Sequence, residues 1–228
     1  MAEARTLAHE TLTPVAPLLC CLVVTGSTAY GHPEAGDDLD LLAVVRRGGL
    51  WPFLAYAFFA ARIRRARTSE GPTDWCFNFV VEDDVARREF SVPRGFFIAR
   101  ETLVAQPVLG DGYYRGLVAR ADWLRSEIPR LHAQRVGNPD EPRPATPAAP
   151  VPVRLLNLAL YPWMAAYLQL VALVRERRLR RTDPRDRSFR VVARRDRLFY
   201  ETSRFEELRT AYRGADTLHR PAEGSDAG

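Results

Sequence analysis

The segment Val23-Val24-Thr25-Gly26-Ser27, followed after ten residues by Asp38-Leu39-Asp40-Leu41-Leu42-Ala43-Val44-Val45, decides how this chain reads. The apolar run Leu18 to Val24 predicts a buried strand that stops at Gly-Ser, and the second run opens with two carboxylates. Residues two apart on a strand share a face, roughly 6–7 Å apart along it, so Asp38 and Asp40 are expected together, opposite Leu39 and Leu41. Gly26 lets the backbone take dihedrals closed to other residues and pass close to an anion. Ser27 adds a hydroxyl donor, and a helix starting there would aim free N–H groups at a phosphate. Paired carboxylates beside such a bend suit magnesium, which takes hard oxygen ligands, usually one or two protein carboxylates plus phosphate oxygens and water. Two adjacent ions would both neutralise a triphosphate and acidify an attacking hydroxyl.

Gly26-Ser27, the ten-residue gap, and Asp38-Leu39-Asp40 running into an apolar strand resemble the signature of the nucleotidyltransferase (polymerase-beta-like) superfamily. The resemblance implies an α+β fold, with a small mixed β-sheet core and a C-terminal helical part. It also implies that Gly26 and Ser27 hold the nucleotide phosphates and that Asp38 and Asp40 ligate Mg2+. The reaction would move a nucleoside monophosphate from an NTP to an acceptor hydroxyl whose identity stays open. The segments Cys76 to Val81, Ala99 to Leu103, and Ala121 to Arg125 with Pro129 are similar to a largely uncharacterised bacterial branch of that superfamily. Active members usually carry one more acid on a later strand. Here Asp74, at the mouth of the predicted strand Trp75 to Val81, would complete a catalytic and metal-binding set with Asp38 and Asp40 and allow two ions. The alternative is that Asn78, on the same alternating face, takes its place with a neutral oxygen and holds a second ion more weakly. That alternative leaves a second function class in view, a catalytically inactive nucleotide-binding or regulatory module of the same fold.

The remaining sequence bounds these readings. At 228 residues and 46% hydrophobic, the chain can bury one full core with an attached helical part. All 33 basic residues are arginine, and the net charge of +5 permits a polyanionic partner without requiring one. Cys20, Cys21 and Cys76 lie in apolar, strand-like runs with no zinc spacing, and neighbours on a strand point to opposite faces. They read as buried thiols of a reducing compartment. The N-terminus has no basic-then-apolar signal pattern, so a cytoplasmic location is expected. Of the scattered histidines, only His32 lies between the two halves of the motif.

The predicted organisation is a core over residues 1–110, a helical part over 111–213 and a disordered tail over 214–228. A short helix near Leu7 to Leu12 and a helix from Trp51 to Arg67 flank the motif strands. Glu82, Asp83 and Asp84 are expected to cap a following helix. Further helices are predicted at Phe97 to Val104, Tyr113 to Arg130 and Phe199 to Tyr212. Residues 137–152 hold six prolines in sixteen and predict a surface linker. Leu155 to Val174 is an uncharged stretch of twenty residues, expected as an enclosed core helix rather than a membrane span. Arg175 to Arg197 carries eleven arginines against four acids. It suits a solvated helix end or a phosphate-facing patch for nucleic acid.

Overall fold

The apolar runs become strands where their composition demands it. In the computed structural model, which describes residues 2–31, 38–67, 75–136, 146–182 and 189–202, β1 (Leu19–Val24) is buried at every position. Such a strand must be covered on both faces. β2 (Leu39–Val45) runs antiparallel to β1. Helix α1 (Ala2–Leu12) precedes β1, α2 (Gly26–Ala29) follows it, and α3 (Leu50–Arg67) crosses from β2 to β3 (Trp75–Glu82), which lies parallel to β2. Next come α4 (Asp83–Ser91), α5 (Phe96–Val104), β4 (Gln106–Leu109), α6 (Asp111–Ala119), α7 (Asp122–Glu127) and α8 (Pro129–Val136). The long α9 (Val151–Thr182) leads to β5 (Phe189–Arg194) and β6 (Arg197–Thr202). The fold is mixed α+β, with one six-stranded sheet ordered β4-β1-β2-β3-β6-β5. Among the described residues, only the β2–β3 pair is parallel. Pro107, which has no N–H for the ladder, sits on the edge strand β4, where a free edge tolerates it.

Two apolar layers sandwich the sheet. Leu22, Leu39, Leu41, Phe77 and Leu198 pack with Leu12 of α1, Trp51, Phe53 and Leu54 of α3, and Leu168 of α9. Val23, Val44 and Val81 face the other way, onto Val85, Leu103, Tyr114, Val118 and Leu124 of the shorter helices. Asn157 of α9 is 1% exposed, and its Oδ1 accepts the Trp51 N–H at 2.8 Å, satisfying a donor that α3 cannot pair internally. Asn157→Leu keeps the volume but strands that buried N–H. Its unfolding midpoint in urea should fall by an amount worth about 1–3 kcal/mol, with an unchanged slope.

Several expectations need correction. Phe199 to Tyr212 does not start a helix: Arg197–Thr202 is β6, with Leu198 turned into the α3 layer and Phe199 stacked on Phe79 at 6.2 Å. The rest of that predicted helix and the 214–228 tail lie outside the described residues. Tyr113 to Arg130 is three helices, interrupted at Arg120 and Ile128. The proline-rich stretch ends earlier than expected, because α9 begins at Val151 and takes Pro152 into its first turn, where a missing N–H costs nothing. Cys20 and Cys21 share one apolar layer, because the β1–β2 register slips by one residue between Leu19 and Cys21. Both are free thiols pushed up by burial, Cys20 to about 12. Finally, the 155–174 helix is not enclosed. Only a narrow stripe of it is covered, and Leu155, Trp163, Tyr167 and Leu170 are exposed.

At the end of β3, Glu82 is 6% exposed and accepts the Gly48 N–H at 2.8 Å. Burial raises its carboxyl to about 7, with Asp84 and Asp196 adding to the shift and the Gly48 bond opposing it. Between the ordinary value of 4.5 and about 7, the unfolded chain gives up this proton while the folded chain keeps it. Stability should therefore fall as pH rises through that window, by roughly 1–3 kcal/mol, and level off above it. Glu82→Gln retains an acceptor for Gly48 and should flatten the slope in urea titrations repeated at several pH values.

Candidate functional site

The motif folds into a bend pressed against a carboxylate. β1 ends at Val24, and the Thr25 N–H donates to the Asp40 carbonyl at 2.9 Å, tying the bend to β2. Gly26 then takes φ +66°, the left-handed region that favours glycine. A Cβ there would collide with the Asp40 carboxylate and lie 3.0 Å from its Cγ. Gly26 and Asp40 are thus in direct contact. Ser27, half-buried, is the second residue of α2.

Asp40 is half-buried on β2 between Leu39 and Leu41, which are fully buried on the opposite face. Its neighbour in register on β3 is Cys76. Leu41 pairs with Phe77 but Leu42 with Phe79, so Asn78 is an extra residue in β3. Such bulges re-aim side chains. Here the Asn78 Nδ2 donates to Asp40 Oδ1 at 2.6 Å, and Asn78 Oδ1 accepts from the Cys76 thiol at 2.8 Å. The carboxylate can only accept, which fixes the amide with its nitrogen toward Asp40 and its oxygen away.

Asp38 stands just before β2, two residues from Asp40, and is exposed. Asp74 and His32 lie outside the described residues. The structure therefore brings Gly26, Asp40 and Asn78 together, with Ser27 next to Gly26 and Asp38 two residues before Asp40 in the chain. Among the described residues, no three His, Cys, Asp or Glu side chains form a group that could enclose a metal ion. Asp40, backed by the Asn78 amide and with Asp38 two residues away in the chain, is a hard-oxygen donor of the kind magnesium takes together with water and phosphate oxygens.

The anchoring of α2 was not visible in the motif. Tyr30, which ends that helix, donates its hydroxyl to Glu101 Oε1 at 2.5 Å, and the Arg100 guanidinium lies 4.9 Å over the Tyr30 ring. The bend is held to α5 as well as to β2. The only advance signal was that Arg100-Glu101 falls in a segment already singled out by resemblance. The arginine-rich stretch is divided. Arg197 bonds Glu89 at 2.9 Å and Asp196 at 3.2 Å, while Arg190, Arg194 and Arg195 are exposed, and 183–188 lie outside the described residues. The chain matches no protein-family model, no curated protein and no solved structure.

Proposed function

We propose that the protein is a magnesium-dependent nucleotidyltransferase that moves a nucleoside monophosphate from an NTP to an acceptor hydroxyl. The observation that carries this reading is the contact between the left-handed Gly26 bend and the Asp40 carboxylate, with Asn78 clamping that carboxylate from β3. Asp38 and Asp40 would hold the metal, and Gly26 and Ser27 would bind the phosphates. Asn78 orients Asp40 through its amide N–H, as a partner behind a metal ligand does. Bound magnesium supplies charge neutralisation on the triphosphate. Asp74 remains the proposed third acid.

The test is pyrophosphate release and transfer of label from α-labelled NTPs in magnesium, over protein, small-molecule and RNA acceptors. Metal-dependent turnover is expected. Saturable NTP binding without turnover across the panel would instead assign an inactive nucleotide-binding module, and absence of both overturns the proposal.

A further inference from the structure

Of the three cysteines, Cys76 stands apart. Cys20 and Cys21 are buried in one apolar layer, whereas Cys76 is half-buried. Trp75 and Phe77 on either side of it pack into the α3 layer, so Cys76 faces the other way, opposite Asp40 in the β2–β3 register. Its thiol donates to Asn78 Oδ1 at 2.8 Å, and Asn78 Nδ2 donates to Asp40 Oδ1 at 2.6 Å. Side chains two apart on a regular strand stand roughly 6–7 Å apart along it. The extra residue at Asn78 lets one amide touch both neighbours. Three side chains from two strands thus form one directed series, from thiol to amide to carboxylate.

The amide is the element of this series that can turn. Its two ends have almost the same size, so a half-turn about the bond to Cβ exchanges oxygen and nitrogen at little steric cost. That turn would set the amide oxygen against the Asp40 carboxylate and its NH2 against sulfur, a weak acceptor. Contacts at both ends oppose it, and a contact at one end alone holds the amide less firmly. Where a carboxylate takes a metal ion, the groups bonded behind it fix its direction, and further bonds hold those groups in place. Hydrogen bonds in such a series also strengthen one another. With Asp40 as the metal ligand of the proposed function, we infer that Cys76 is a positioning residue. Its thiol locks the Asn78 amide, and through the amide it sets how tightly the Asp40 site holds a divalent cation.

The experiment is titration of the full chain with Mn2+, a paramagnetic substitute for magnesium at carboxylate sites, with the free ion read by electron paramagnetic resonance. Removing a partner behind a metal ligand costs roughly 10–100-fold in affinity, so Asn78→Ala should bind at least about tenfold more weakly. The thiol is a weak donor one bond further out, so Cys76→Ala should lose about fivefold. Cys76→Ser keeps a donor for the same oxygen and should stay within about twofold of the wild type. In an Asn78→Ala background Cys76→Ala should add nothing, because the path from thiol to carboxylate is already cut. Urea midpoints check that each variant is folded during the titration. Wild-type binding by Asp40→Asn, or no Mn2+ binding by the wild type, would refute Asp40 as a ligand and the role of Cys76 with it. With Asp40→Asn impaired, four results would each overturn the role of Cys76 alone. These are unchanged affinity in Cys76→Ala, a Cys76→Ser protein as weak as Cys76→Ala, a loss that adds fully to that of Asn78→Ala, or tighter binding by Cys76→Ala, in which the released amide turns its oxygen onto the ion.

Discussion

Asp40→Ala should lower metal-dependent nucleotide transfer at least about a hundredfold, equivalent to about 2.7 kcal/mol of transition-state stabilisation. The substitution removes the proposed metal ligand and at the same time leaves the Asn78 amide without its acceptor. Asp40→Asn separates these effects. It is nearly isosteric, so the contact with Gly26 survives, and its amide oxygen can still accept the 2.6 Å bond from Asn78. What is lost is the charge and one of the two acceptor oxygens. If Asp40 serves as a metal ligand, Asp40→Asn should be almost as inactive as Asp40→Ala while its urea midpoint stays near the wild-type value. An Asp40→Asn protein that turns over at the wild-type rate would show that this carboxylate merely shapes the bend. Asp38→Ala should lose activity in the same way with less effect on stability, since Asp38 is exposed and lies outside β2.

The largest stability loss is expected from Gly110→Ala. Gly110 joins β4 to α6 with φ +68°. It lies against the slipped part of β1: a Cβ would collide with the Cys20 carbonyl and fall 2.8 Å from Cys21 Cα. The left-handed backbone alone costs an ordinary residue about 1–2 kcal/mol. The obstacle is main chain of a central strand, which cannot rotate away, and overpacking of that kind adds about 1–3 kcal/mol. A total of about 3–4 kcal/mol corresponds to a melting temperature roughly 10 °C lower for a chain of this size. Gly31→Ala is the control, because Gly31 has φ +79° with nothing within 4 Å. It should show the backbone cost without the collision, and equal losses at both positions would refute the packing argument.

The elements that carry the site were legible because each is a long apolar run with a sharp stop. Leu18 to Val24 ends at Gly-Ser, Trp51 to Arg67 turns basic in its last turns, and Trp75 to Val81 is rich in aromatic and β-branched side chains. What escaped depends on contacts between distant segments. Alternation puts Cys76 and Asn78 on one face, but the extra residue that swings the Asn78 nitrogen onto Asp40 exists only once β3 is paired with β2. The same holds for Cys20, moved to the face of Cys21 by the slip against β2. β6 was lost to a competing helical reading, since Leu198-Phe199-Tyr200 is a short apolar run whose period is ambiguous until Leu198 and Phe199 are seen against β3. Composition also could not show which side of an all-apolar helix would be covered, because α9 reads the same around its circumference.

The β5–β6 hairpin has a bearing on synthesis. It is β6 that turns β3 from an outer strand into an inner one, and 114 residues lie between the end of β3 and Arg197. At ribosomal speeds of about 5–20 residues per second, a nascent chain carries the naked Trp75–Glu82 margin for roughly ten seconds. Through that interval an aromatic, β-prone border with unsatisfied amides is open to its neighbours on a polysome. Chaperone demand should therefore peak late in translation, and products stopped short of Arg197 should clump first.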